Sequence, residues 1–117
     1  MKLRKEITCP LELTHDLIRG KWKPIILWTL KEPQSLSSLE KGIVGITEKM
    51  LLEHLGELVA YGIVAKKKSY GYPLQVEYSL TDRGSRLVGA LEILQEVGTA
   101  LLQDDSLAGD EYPQKSG

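Results

Sequence analysis

Residues 45–80 read GITEKMLLEHLGELVAYGIVAKKKSYGYPLQVEYSL, and the change of hydrophobic period along them decides the architecture. Thr47 stands where its hydroxyl can accept a bond from an otherwise orphaned backbone N–H at a helix start. Ile46 before it and Leu51 five residues on have the spacing of a hydrophobic staple. Leu51, Leu55, Leu58 and Val59 recur at helical spacing, and Gly62 offers the left-handed conformation that ends a helix. Beyond Gly62 the period becomes two, with Val76, Tyr78 and Leu80 predicted on one face and Gln75, Glu77 and Ser79 on the other. A helix followed directly by a hairpin results, and Lys66, Lys67, Lys68, Tyr70 and Tyr72 cluster around the hairpin's tip.

Working outward towards the N-terminus, Ser37 and Glu40 have capping-box spacing and predict a short helix, with Leu39 and Ile43 inward, running to Val44 and Gly45. Two helices joined by so short a glycine-containing turn form a helix-turn-helix unit. Residues 21–30, KWKPIILWTL, are too apolar for a surface helix and predict a buried central one, with Pro24 near its start and Glu32-Pro33 closing it. Pro10 suits the first turn of an earlier helix, Gly20 its stop, and Leu13 and Leu17 its apolar side. On the other flank Thr81 caps a terminal helix of roughly 20 residues, with Asp82 in its first turn. Leu87, Leu91, Leu94, Leu101 and Leu102 line its stripe, with Val88 and Val97 beside it. A stripe on so long a terminal helix is most simply buried by a second copy of itself. The expected fold is therefore mainly α with a small β-hairpin: a winged helix-turn-helix with a long dimerisation helix. The expected organisation is a mobile arm at 1–8, one domain at 9–103 and a disordered acidic tail at 104–117.

Length and composition set bounds on function. At 117 residues with 42% hydrophobic and 26% charged residues, the chain is one ordinary globular domain. No apolar run approaches the roughly 20 residues of a membrane helix, and no signal peptide is present, so the expected location is the cytoplasm. One cysteine precludes an internal disulfide and a four-cysteine zinc site, and no metal or cofactor is expected. His15 and His54 fit no nucleophile–base or HExxH spacing, which argues against an enzyme. The net charge of -1 hides an asymmetry: residues 1–86 hold fourteen Lys and Arg against ten Asp and Glu, residues 87–117 one against six. A basic body of +4 beside an acidic end of -5 suits a polyanionic partner better than the total suggests.

CPLELTHDLIRGKWKPIILWTL, GITEKMLLEHLGELVAYGIV and VEYSLTDRG, in that order, resemble the HxlR-type family of bacterial winged helix-turn-helix transcription factors, close in architecture to the MarR group. The resemblance spans roughly Cys9 to Gly98. It implies a homodimer held by the terminal helices and the N-terminal region, each protomer placing one helix in the DNA major groove and one wing beside it. This chain departs from the family pattern at Leu52 and Gly56, where polar residues are usual, at Gln75, where a wing arginine is common, and at Val44, where proline is common.

A recognition helix meets base edges through its first turns, which selects Thr47, Glu48, Lys49, Met50, Glu53 and His54. Lys49 suits a guanine edge or a phosphate, Met50 a thymine methyl, Glu53 a cytosine amine, and His54 a phosphate or solvent. The helix is acid-rich, so Lys66, Lys67 and Lys68 of the wing are expected to supply much of the attraction, with Lys21 and Lys23 as weaker candidates. Its acids also leave open an alternative, a winged helix that binds protein without specific DNA binding. Several members of the family sense oxidants or electrophiles at the Cys-Pro position, which makes Cys9 a candidate redox sensor. A thiol at a helix N-terminus, near Lys2, Arg4 and Lys5 in sequence, has a setting that favours reaction.

Overall fold

Five helices and a three-stranded antiparallel sheet make up the computed structural model, which describes residues 9–69, 71 and 75–107. In chain order these are α1 (Pro10–Leu17), α2 (Trp22–Thr29), β1 (Gln34–Ser35), α3 (Leu36–Gly42), α4 (Glu48–Ala60), β2 (Val64–Lys68), β3 (Val76–Leu80) and α5 (Asp82–Gln103). The expected arm at 1–8, Tyr70, Tyr72 and residues 108–117 of the expected tail lie outside the described residues. Residues 104–107 form a turn in which Asp104 Oδ1 accepts from the Ser106 N–H at 3.0 Å.

The core forms where the apolar stripes converge. Ile26, Leu27 and Leu30 of the α2 region meet Leu39 of α3, Leu51, Leu55 and Leu58 of α4, Val64 and Tyr78 of the sheet, and Val88 and Leu91 of α5, all buried. Each fully buried leucine contributes about 2 kcal/mol of transfer free energy. Thr47 caps α4 as its sequence position predicts, its hydroxyl accepting from the Met50 N–H at 3.1 Å. At the other end Gly62 takes φ 72°, its N–H bonds to Val59 O at 3.0 Å, and the Ile63 N–H reaches Leu58 O at 2.9 Å. That pair of bonds is a Schellman motif, and it aims the chain straight into β2.

Two local features differ from the sequence reading. The helix α3 is capped by Ser35, whose Oγ accepts from the Ser38 N–H at 3.1 Å, and not by Ser37. The cause is β1, too short to leave a period, which pairs Gln34 with Tyr78 and Ser35 with Glu77 and so holds Ser35 in the extended conformation a cap needs. The hairpin is thereby a three-stranded sheet in the order β1-β3-β2.

The terminal helix divides in two. Its first half belongs to the protomer's own core, with Gly84, Val88 and Leu91 buried and Leu87 partly buried. Leu91, expected on a dimer stripe, is covered within its own chain at 7% exposure. Beyond it Ile93, Leu94, Val97, Leu101 and Leu102 are all exposed. Among the described residues no helix is long and apolar enough to cross a membrane.

Candidate nucleic-acid interface

The short turn between α3 and α4 turns on Gly45 at φ 91°, against which the indole of Trp22 rests, 3.5 Å from where a Cβ would stand. It presents α4 with its leucine stripe inward and an opposite arc in solvent. Glu48, Lys49, Leu52, Glu53 and Gly56 form that exposed arc, with the cap residue Thr47 at its edge. A Cβ built on Gly56 meets nothing within 4 Å, so the centre of the arc is open backbone.

Two residues assigned to the recognition face sit elsewhere. Met50 is half-buried and packed against the core, a place its unbranched, flexible side chain suits. His54 is also half-buried: its Nδ1 lies 3.2 Å from Lys23 Nζ and 3.7 Å from Glu57 Oε1. Glu57, one turn on, is paired with Lys23 at 3.0 Å. Lys23, expected as a surface cation, is buried at 6% exposure and unavailable to a phosphate. Burial, and then the Lys23 ammonium, lower the His54 imidazole below the ordinary histidine value, against the opposite pull of Glu57 and Glu53. A value lowered on folding means that the neutral ring's stabilisation is complete above the unfolded value of 6.5 and is lost as pH falls through the folded one.

Leu52 is the residue the sequence reading missed. It is 42% exposed in the middle of the arc, and a projection at 100° per residue places it between Glu48 and Gly56.

The wing lysines are all exposed, and the strand register sorts them. Lys66 pairs with Tyr78 and Lys68 with Val76, so these two share the sheet face that carries the core and α4. Lys67 points the other way, across from Glu77. Thr47, Glu48, Lys49 and Glu53 thus share one exposed helix surface, and Lys66 and Lys68 share one face of the wing.

Cys9 is the N-cap residue of α1 and is exposed. It lines an apolar groove with Leu11, Leu87, Ile93 and Leu94. A second groove of about 770 Å³ lies between α1, α2 and α5, lined by Ile18, Ile25, Trp28, Leu94 and Leu101 among others. Among the described residues no group of three or more His, Cys, Asp or Glu side chains could hold a metal ion.

A sequence model described as HxlR-like helix-turn-helix matches residues 17–106. The uncharacterized HTH-type transcriptional regulator YkvN of Bacillus subtilis (strain 168) is 36% identical over 107 residues, spanning 91% of each chain. Among solved structures, the redox regulator HypR in its reduced form superposes with a TM-score of 0.77 at 33% identity, covering 81% of this chain and 95% of that one. The reduced form of the transcriptional regulator YodB from B. subtilis gives a TM-score of 0.73 at 27% identity, over 83% of this chain and 97% of that one.

Proposed function

The chain belongs to the HxlR-like helix-turn-helix family of transcriptional regulators, and from that premise we propose that it binds specific DNA as a homodimer. What supports the reading is the exposed arc of α4 together with the exposed wing lysines, of which Lys66 and Lys68 share one sheet face. The helix enters the major groove with Lys49, Leu52 and Glu53 towards base edges, Leu52 taking the thymine-methyl role first given to Met50. The wing lysines neutralise phosphates, offsetting Glu48 and Glu53. Two protomers joined along α5 would read an inverted repeat with half-site centres about one helical turn, roughly 34 Å, apart or a multiple of it. The protein acts on DNA in the cytoplasm, and no catalytic step is part of the reading.

Selection of bound duplexes from a random pool, followed by fluorescence titration against salt, tests this. Log affinity should fall linearly with log salt, and Lys68→Ala should lower that slope by about 1 on every sequence. Replacing contacted thymines by uracil should cost the wild type roughly fourfold, the worth of one buried methyl, and cost Leu52→Ala nothing. A clean dimer that binds no duplex at low salt would instead favour the protein-partner reading.

Redox control through Cys9 is the second part of the proposal. HypR is known in reduced and oxidised forms and YodB in reduced and diamide-treated ones. Here the exposed thiol lies beside the apolar surface of α5. Oxidation by diamide would join Cys9 to a second protomer's Cys9 or to a small thiol, two electrons passing to the diamide, which becomes its hydrazine. Either product alters how protomers pack. Diamide should change operator affinity of the wild type and leave Cys9→Ser unaffected; equal responses would remove Cys9 from the mechanism.

A further inference from the structure

Residues 20–23 read GKWK, and two of them, Trp22 and Lys23, touch the helix-turn-helix unit. Gly20, at φ 98°, turns the chain into α2. Trp22 rests on the turn before α4. Lys23 sits in the first turn of α2 with its side chain only 8% exposed, and its ammonium reaches two side chains one turn apart on α4, His54 and Glu57. The leucines Leu51, Leu55 and Leu58 hold the inward face of α4 by close apolar packing, which carries no directional bond. Hydrogen bonds are directional. The bond from Lys23 to His54 Nδ1, at 3.2 Å, needs a lone pair on that nitrogen and hence a neutral ring protonated at Nε2.

We propose that Lys23 is a positioning residue for the recognition helix: it fixes the rotation of α4, and with it the register of Lys49, Leu52 and Glu53, only while His54 is neutral, so that operator binding is acid-sensitive. This rests on the DNA-binding reading for its consequence, though the clamp itself is a property of the free protein. The charged groups facing the imidazole are Lys23 from α2 and Glu57 and Glu53 from its own helix. Protonation places a donor N–H opposite the ammonium, and Glu57 Oε1, 3.7 Å from the same nitrogen, then faces two cations. The Lys23 bond to the ring is lost and, of the two bonds from Lys23 to α4, the ion pair with Glu57 remains, so the rotation of α4 is less sharply fixed.

The test follows operator affinity between about pH 8 and pH 5.5, the span in which a histidine charges. Wild type should weaken by about fivefold or more on acidification. His54→Gln, which keeps an acceptor for Lys23 but cannot charge, should lose that dependence whatever its affinity at the alkaline end. Lys23→Met should bind weakly throughout; the double variant Lys23→Met with Glu57→Gln, which removes both charges of the pair, should fold and stay weak. In the DNA-free protein, NMR should show α4 backbone amides shifting with the His54 titration in wild type and not in His54→Gln. The proposal is overturned if Lys23→Met binds like wild type, or if α4 amides titrate equally in His54→Gln. If no duplex binds at any pH but the amides follow His54, the clamp stands and the DNA reading falls.

Discussion

Leu94→Glu is expected to convert the protein into a monomer in light scattering and to weaken operator binding by about a hundredfold or more, the loss that follows when two linked contacts become one. The argument starts from what the second half of α5 lacks. From Ile93 onward its apolar side chains find little cover among the described residues of their own chain: Ile93 is 63% exposed, Leu94 61% and Leu102 76%. A helical segment of about a dozen residues is marginal in water without packing. A run of exposed leucines and valines on such a segment marks an interaction surface. Leu94 lines both grooves that flank the helix, so it lies at the centre of the surface that a second copy would bury. A carboxylate there would have to be buried without a partner, which costs far more than the lost apolar contact. Because Leu94 stands outside the buried cluster, the thermal transition of the protomer core should change little. A Leu94→Glu protein that remains dimeric with undiminished affinity would place the interface elsewhere.

What the sequence disclosed and what it withheld follow from how far each signal extends along the chain. The cap at Thr47, the stop at Gly62, the inward stripe of α4 and the alternation of β3 are local, set by neighbours within five residues, and the structure reproduces each. The two-residue β1 and the Ser35 cap depend on pairing with β3 more than forty residues away, which no window shows. The candidate site follows the same division. Exposure of Glu48, Lys49 and Glu53 follows from helical projection, whereas burial of Met50 and His54 depends on what α2 presents to α4. Lys23 is the sharpest case: a lysine beside a tryptophan reads as surface, and only the arrival of Glu57 from a distant helix makes its burial affordable. Leu91 misled in the opposite direction, since a helical stripe cannot tell the protomer's own core from a partner's.

Gly84→Ala is expected to destabilise the protomer by roughly 3 kcal/mol or more, a sum of overpacking and lost hydrogen bonds. In a domain of this size that lowers the thermal midpoint by about 10 °C. The glycine is helical, so its backbone conformation is not the issue; a neighbour is. A Cβ at this position would stand 2.1 Å from the carbonyl oxygen of Ile63, backbone that has no rotamer to change. Relief requires α5 to move away from the end of α4, and two side-chain bonds across the junction oppose that, with the cap of α5 behind them. Thr81 Oγ1 donates to Gly62 O or Ile63 O, at 2.5 and 3.1 Å, and accepts from the Gly84 N–H at 3.1 Å. Arg83 Nη1 donates to Tyr61 O at 2.9 Å. The motif TDRG therefore acts as a staple that closes the wing's base onto the C-terminus of α4, with the glycine setting the distance of approach. Gly89→Ala on the same helix is the control, since a Cβ there meets nothing within 4 Å. It should stabilise the fold by about 0.5–1 kcal/mol through helix propensity alone. Differential scanning calorimetry on the two variants decides the matter. If Gly84→Ala melts with Gly89→Ala, the contact with Ile63 does not constrain the fold, and the staple reading of TDRG is wrong.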